Sequence, residues 1–308
     1  MTTAKLAAVL SVVMLVLAVS GTAMVGPLED ATAALARKDY PTAYGLLQPL
    51  AKQGDARAQF YLGAMYHSGQ GVPQDYVEAL KWFRMAAEQG FASAQVLLGT
   101  AYDEGKGVMQ DYIRAAKWYR LAAEQGNADA QYNLGVMCAD GEGVSQDYVE
   151  ALKWLRLAAE HGSADAQYSV GVRYKNGEGA PQDYAEALKW FRLAAGQGED
   201  SAQCSLGSLY YNGRGVPQDY VEALKWYHLA AERGNTLAQF SLGFMYYNGN
   251  GVPPDYVQAH LWGNLAAARA TDPEVRTNAV NVRDLAAGKM TPAQIAAAQR
   301  LAREWKPK

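Results

Sequence analysis

Three kinds of residue in this chain could support chemistry: four histidines, two cysteines and a set of Gly-x-Gly loops that look like phosphate cradles. A metal centre needs His, Cys or carboxylate side chains that converge on one point. His67, His161, His228 and His260 fall at four different positions of an internal repeat, so the repeat symmetry cannot bring them together. They read as surface or edge histidines, and no metal site is expected. Cys138 stands where other copies carry Tyr66, Tyr102 or Tyr174, and Cys204 where they carry Phe60, Tyr132 or Phe240. Two repeats separate them, farther than the roughly 7 Å between Cα atoms that a disulfide tolerates. The expected role of both is that of a small buried hydrophobe. The glycine loops follow a helical pattern instead of a strand and lack the Gly-Lys-Ser/Thr ending of a phosphate loop, so they read as turns. Ser-x-x-Lys, Lys-Thr-Gly, Gly-x-Ser-x-Gly and His-Glu-x-x-His do not occur in the sequence. No catalytic residue and no cofactor is expected, and the chain reads as a non-enzyme.

The elements that position these residues repeat. The stretch at 127–162, NADAQYNLGVMCADGEGVSQDYVEALKWLRLAAEHG, recurs six times. Its Trp falls at Trp82, Trp118, Trp154, Trp190, Trp226 and Trp262, a step of 36 residues. Gln59, Gln95, Gln131, Gln167, Gln203 and Gln239 keep the same step. So do the Asp-Tyr pairs that begin at Asp75 and end at Asp255. A fixed period in this range marks a solenoid, whose units bury their apolar faces only against their neighbours. Half of the 308 residues are hydrophobic, ample for a continuous core. The formal net charge is −3 with no basic block, so nucleic acid is not an expected partner.

Each copy reads as two helices. In the third, Ala130, Leu134 and Cys138 are spaced four apart, with Gln131 and Gly135 beside them, giving one face of a helix over about 128–140. Gly135 leaves room for a second helix to approach, and Gly141 stops the first in the left-handed conformation. Asp147 is an N-cap for the second helix, and Glu150 completes a capping-box-like pair. Asp75/Glu78, Asp183/Glu186 and Asp219/Glu222 repeat it, while Arg114 breaks it. The second helix is expected to bury Tyr148, Ala151, Leu155, Ala158 and Ala159, with Trp154 flanking. Glu150, Lys153 and Arg156 read as a solvated face with i,i+3 pairs.

The motif A-x-A-Q-Y-x-L-G-x-M-Y-x-x-G-x-G-V-x-x-D-Y-x-x-A-x-x-W-x-x-x-A-A-x-x-G resembles the Sel1-like repeat, a relative of the tetratricopeptide repeat. The resemblance covers roughly 55–270 and a worn copy before it. It implies an all-α, right-handed α/α solenoid of helix-turn-helix repeats with period 36, acting as an adaptor or scaffold. A cysteine-rich bacterial branch of the family is associated with β-lactam binding or hydrolysis, but this chain lacks that branch's paired cysteines.

The two ends differ from the array. Residues 1–23 read as a signal peptide, with Lys5 ahead of an apolar run over 6–19 and a small-residue break at Ser20-Gly21-Thr22. Cleavage would follow Ser20 or Ala23; the rival reading is an uncleaved anchor, since the uncharged stretch runs on to Leu28. Either way the repeats would lie outside the cytoplasm, periplasmic or secreted, or held at the inner membrane facing the periplasm. Any membrane contact would come only through that anchor. Residues 27–54 read as a degenerate capping repeat, with Leu46 in the Trp position. Residues 271–308 read as capping helices: Thr271 or Asp272 starts one and Gly288 ends it. Thr291 with Gln294 starts another, with Ile295, Ala298, Ala302 and Trp305 as its buried stripe.

Variation among the copies points to the working surface. On the first helices, the positions of Ala58, Gln59, Leu62, Gly63 and Tyr66 barely change, while those of Arg57, Tyr61, Ala64 and Ser68 change freely on the opposite arc. First helices line the concave surface of such a solenoid. The free arc is therefore the candidate partner-binding groove, running through Arg57, Tyr61, Asp129, Asn133, Asp140, Asp165, Ser205, Ser208, Phe244 and Asn248. Tyr211 and Tyr247 lie at its rim, and aromatics are typical binding anchors. The expected function is that of an exported scaffold binding a protein or peptide. The alternative is a cell-wall-associated binder or weak hydrolase of β-lactam or peptidoglycan type.

Overall fold

A computed structural model describes residues 26–308, so the expected signal segment at 1–23 lies outside the described residues. Sixteen α-helices and no strand occur among the described residues. They fall into two units that divide between Asp147 and Tyr148. The first holds α1 (Pro27–Ala36), α2 (Tyr40–Lys52), α3 (Ala56–Ser68), α4 (Tyr76–Glu88), α5 (Ala92–Glu104), α6 (Tyr112–Glu124) and α7 (Ala128–Asp140). The second holds α8 (Tyr148–Glu160), α9 (Ala164–Asn176), α10 (Tyr184–Gly196), α11 (Asp200–Asn212), α12 (Tyr220–Glu232), α13 (Thr236–Asn248), α14 (Tyr256–Arg269), α15 (Pro273–Ala287) and α16 (Pro292–Glu304). Among the described residues no helix is long and apolar enough to cross a membrane.

The turn chemistry of one copy explains the others. Gly177 ends α9 at φ 77°, a left-handed conformation that glycine adopts without strain. Six residues on, the Asp183 N–H donates to the Tyr174 carbonyl at 2.9 Å and closes the loop. The Asp183 carboxylate then accepts from the Ala185 and Glu186 amides and caps α10. With the Asp183 N–H already engaged, the expected reciprocal capping box does not form. Glu186 instead accepts from Trp190 Nε1 at 3.2 Å and from Lys189 Nζ at 2.6 Å. The loop seats on the preceding copy: a Cβ at Gly179 would lie 2.1 Å from the Tyr148 carbonyl oxygen. This contact gives the Gly-x-Gly loops their role as packed turns.

Packing within a copy rests on a glycine facing an aromatic ring. A Cβ at Gly171 on α9 would lie 2.6 Å from the Phe191 ring on α10, and Gly63/Phe83, Gly99/Tyr119 and Gly207/Tyr227 repeat the arrangement. The glycine thus admits a side chain from the second helix, where close approach of the helices was the expectation. Phe191 is fully buried, which stabilises the fold by about 2–3 kcal/mol relative to an exposed ring. Ala151, Leu155, Ala158 and Ala159 are buried as expected. Trp154, flanking that stripe, is itself buried at 6% exposure, while Tyr148, expected inside, is half-buried.

Copies are joined by side-chain hydrogen bonds. Gln167 Nε2 donates to the Ala159 carbonyl across the turn between α8 and α9. The arginines of the second helices, expected on a solvated face, reach the next copy's tyrosine: Arg84 donates to Tyr102 Oη at 2.9 Å and Arg192 to Tyr210 Oη at 2.6 Å. The i,i+3 ion pairs Lys81–Glu78, Lys189–Glu186 and Lys225–Glu222 are present. Both cysteines are buried thiols.

At the far end the second helix changes character. Leu261 occupies the position of Lys189 and Lys225, and it is buried with Trp262 and Leu265. Ala302 and Trp305 pack on this cluster. Asp272, not Thr271, caps α15 through the Glu274 and Val275 amides. Thr291 and Gln294 form the full capping box that begins α16.

Candidate docking groove

The first helices of each unit carry the freely varying arc, and its exposure differs from copy to copy. In the first unit it is closed where bulk fills it. Tyr61, expected in the groove, is buried at 5% exposure, its ring edge-on to Phe60 at 5.5 Å between centroids. Ala64, Leu97 and Thr100, at equivalent positions, are also buried, and Thr100 accepts a hydrogen bond from Tyr119 Oη at 3.0 Å. Arg57 and Asn133 are half-buried, whereas Asp129 and Asp140 are exposed.

In the second unit the arc is open. Asp165 and Ser205 are half-buried, and Ser208, Phe244 and Asn248 are exposed. Ser205 and Ser208 line a depression of about 640 Å³ with Tyr184, Tyr227, Lys175 and Arg214. Tyr211 and Phe244 line a second of about 260 Å³ with Phe240 and Met245. Tyr227 and Ser241 border both, so the two form one groove on α11 and α13. Asp165, Tyr247 and Asn248 line neither.

Two rim residues have internal duties. Tyr211 Oη accepts from Asn250 Nδ2 at 3.0 Å, and its ring lies 5.1 Å from that of Tyr220. Tyr247 packs edge-on to Tyr256 at 5.8 Å. Phe244 is the anchor the arc presents to solvent, 40% exposed, with Leu237 beside it at 48%.

The sequence reading missed Lys175 and Arg214. Lys175 holds the same repeat position as Tyr211 and Tyr247, and Arg214 the same as Asn250, so copy-to-copy variation at those two positions was the available signal. The Arg214 guanidinium lies 5.5 Å over the Tyr184 ring, a cation–π contact that fixes its direction.

Burial shifts the buried titratable groups toward their neutral forms. Burial pushes the Cys204 thiol up to about 12, so it is not a thiolate nucleophile near neutrality. Burial also raises the Tyr227 hydroxyl. Burial is the first cause that lowers His67, His228 and His260 below the usual histidine value. Among the described residues no cluster of His, Cys, Asp and Glu could hold a metal ion.

Sel1 repeat models match residues 34–55, 56–91, 92–127, 128–163, 164–199, 200–235 and 236–270. A Sel1 repeat protein from Oxalobacter formigenes is 33% identical in a structural match covering 80% of this chain and 99% of that one, with a TM-score of 0.70. The protective antigen c5321 of uropathogenic Escherichia coli, which has the same type of repeat fold, is 27% identical over 91% of this chain and 84% of that one, with a TM-score of 0.51. No curated protein matches the chain. Sel1 repeat folds are commonly protein-interaction scaffolds and are generally non-enzymatic. Seven contiguous repeat matches and a relative aligned over nearly its whole length lead to one conclusion: the chain belongs to the Sel1 repeat family.

Proposed function

We propose that the protein is an exported scaffold that docks a segment of a partner protein in the groove on α11 and α13. The observation that supports this reading is the contrast along the arc: buried at Tyr61, Leu97 and Thr100, but open around a solvent-facing Phe244 in the second unit. An exposed aromatic beside a depression is the usual form of an interface hot spot. The signal-like segment at 1–23 supports delivery to the periplasm or beyond, with an inner-membrane anchor as the rival arrangement.

A photo-crosslinking amino acid at position 244, and a control at the exposed Met109, test it. A protein captured only from position 244 should bind the purified chain, and Phe244→Ala should weaken that binding by about 2 kcal/mol with helicity unchanged. Capture that does not distinguish the two positions, or affinity untouched by Phe244→Ala, would remove the groove from the function.

A further inference from the structure

The charged side chains that line the groove are both cations, although Asp200 and Glu199 act on Cys204 from outside the lining. Lys175 and Arg214 border the larger depression, and no carboxylate lines it. Neither cation has a carboxylate partner among the described residues. Other copies show what usually happens at these positions. Lys106, in the repeat position of Arg214, is paired with Glu104 at 2.5 Å. In the copy of Arg214 the residue equivalent to Glu104 is Asn212, whose amide turns back to the Ser208 carbonyl. Glu178, again in that repeat position, is paired with Arg173. The loop charge is thus paired at Lys106 and at Glu178, whereas Glu142 lies near the like charge of Asp103 and Arg214 has no counter-charge beside this groove.

The rest of the depression supplies neutral hydroxyls. Ser205, Ser208 and Ser241 line it, with Tyr227 between them and the apolar depression that holds Phe244 and Met245. A ligand spanning both would place an anion near Lys175 and Arg214 and an apolar side chain on Phe244. Two cations on a chain of net charge −3 are too few for a nucleic-acid backbone. They suit a carboxylate, which a guanidinium binds with directional, charge-assisted hydrogen bonds.

Building on the docking reading above, we infer that the groove selects a polypeptide segment in which an acidic residue lies close to a Leu or Phe. The carboxylate sits between Lys175 and Arg214, and the apolar side chain lies against Phe244 and Phe240. The cations supply selectivity and encounter rate, and the aromatic end supplies most of the affinity.

Short fluorescein-labelled peptide pools with blocked ends provide the probe. One is randomised over Glu, Gly, Leu and Phe; a second carries Gln in place of Glu, and a third carries Lys. The full chain should bind the Glu pool at least tenfold more tightly than the Gln pool and reject the Lys pool. The preference should shrink between about 50 mM and about 500 mM salt, as the screening length shortens. Lys175→Gln with Arg214→Gln should abolish the preference at unchanged helicity, while Lys106→Gln should keep it. Equal binding of the Glu and Gln pools, or a preference that survives the double variant, would overturn the acidic selectivity. If both pools are still weakened by Phe244→Ser in that case, the docking reading stands alone. No binding by any pool, or binding indifferent to Phe244→Ser, would overturn both.

Discussion

Gln197 reaches back 30 residues and places its Nε2 2.8 Å from Gln167 Oε1. Gln167 in turn donates to the Ala159 carbonyl at 3.2 Å. A buried amide is thereby used on both sides, in the link that fixes one copy on the next. Gln59 with Gln89 and Gln95 with Gln125 repeat it at 2.8 Å. Where Arg233 and Arg269 replace the outer glutamine, Oε1 of the buried Gln203 and Gln239 has no partner among the described residues.

An orphaned buried acceptor costs about 1–3 kcal/mol, and a restored hydrogen bond returns about 0.5–1.5 kcal/mol. Arg233→Gln should therefore stabilise the protein by about 0.5–1.5 kcal/mol, and Gln197→Ala should destabilise it by about 1–3 kcal/mol. Urea unfolding of both variants reads this. A destabilised Arg233→Gln would mean that the link depends on more than the outer amide.

Gly171→Ala tests the ring-in-gap packing. Alanine is favoured over glycine inside a helix by about 1 kcal/mol. The new methyl, however, would meet the fully buried Phe191 ring at 2.6 Å, and overpacking costs typically about 1–3 kcal/mol. A net loss is expected, rescued by pairing the variant with Phe191→Leu. A gain in stability from Gly171→Ala alone would show that the ring moves aside freely.

Mild acid should weaken the fold through its buried histidines. Burial lowers His67, His228 and His260 below the usual 6.5. Above that value neither the folded nor the unfolded state binds the proton, so stability is full. As pH falls below it the unfolded chain takes up protons that the folded chain refuses, and stability is lost. Burial raises the carboxyls of Asp103 and Glu199, which act the opposite way, so the histidine contribution is read from the difference between the wild type and His228→Asn. The melting temperature should drop from pH 7.5 to about pH 5.5, and less steeply in His228→Asn, where the replaced ring contacts Tyr246 Oη at 2.8 Å. A melting temperature that is flat over that range would contradict the burial of these rings.

Much of this fold is legible in the sequence because the repeat averages out local ambiguity. The expected helix over 128–140 coincides with α7, and the Asp caps and left-handed glycines sit where expected. The reciprocal capping box was misread because sequence spacing does not reveal that the Tyr174 carbonyl already holds the Asp183 amide. The groove was legible only in part. Periodicity says which arc Tyr61 lies on, but not that aromatic bulk in its own copy buries it. Lys175 and Arg214 escaped because a lone charge in one copy looks like drift until its missing counter-charge is visible in space.

Trp305 closes the array, and its contacts define a final test. Its ring stands edge-on to Trp262 at 6.5 Å, and the Arg269 guanidinium lies 4.7 Å over it. An aromatic pair is worth about 0.5–1.5 kcal/mol beyond burial, and an exposed cation–π contact about 0.5–1 kcal/mol. With the apolar area that Trp305 covers on Trp262 and Leu265, Trp305→Ala should cost about 2–3 kcal/mol. Stability in a repeat array is a sum of units and neighbouring interfaces, so the loss should stay local. Amide exchange should accelerate across α16 and the second half of α14 while α9 and α10 keep their protection. Trp305→Phe, which retains the ring contact, should restore most of it. Uniform acceleration through α9 and α10 would mean that the second unit opens as one cooperative body and that the end helix is part of its core.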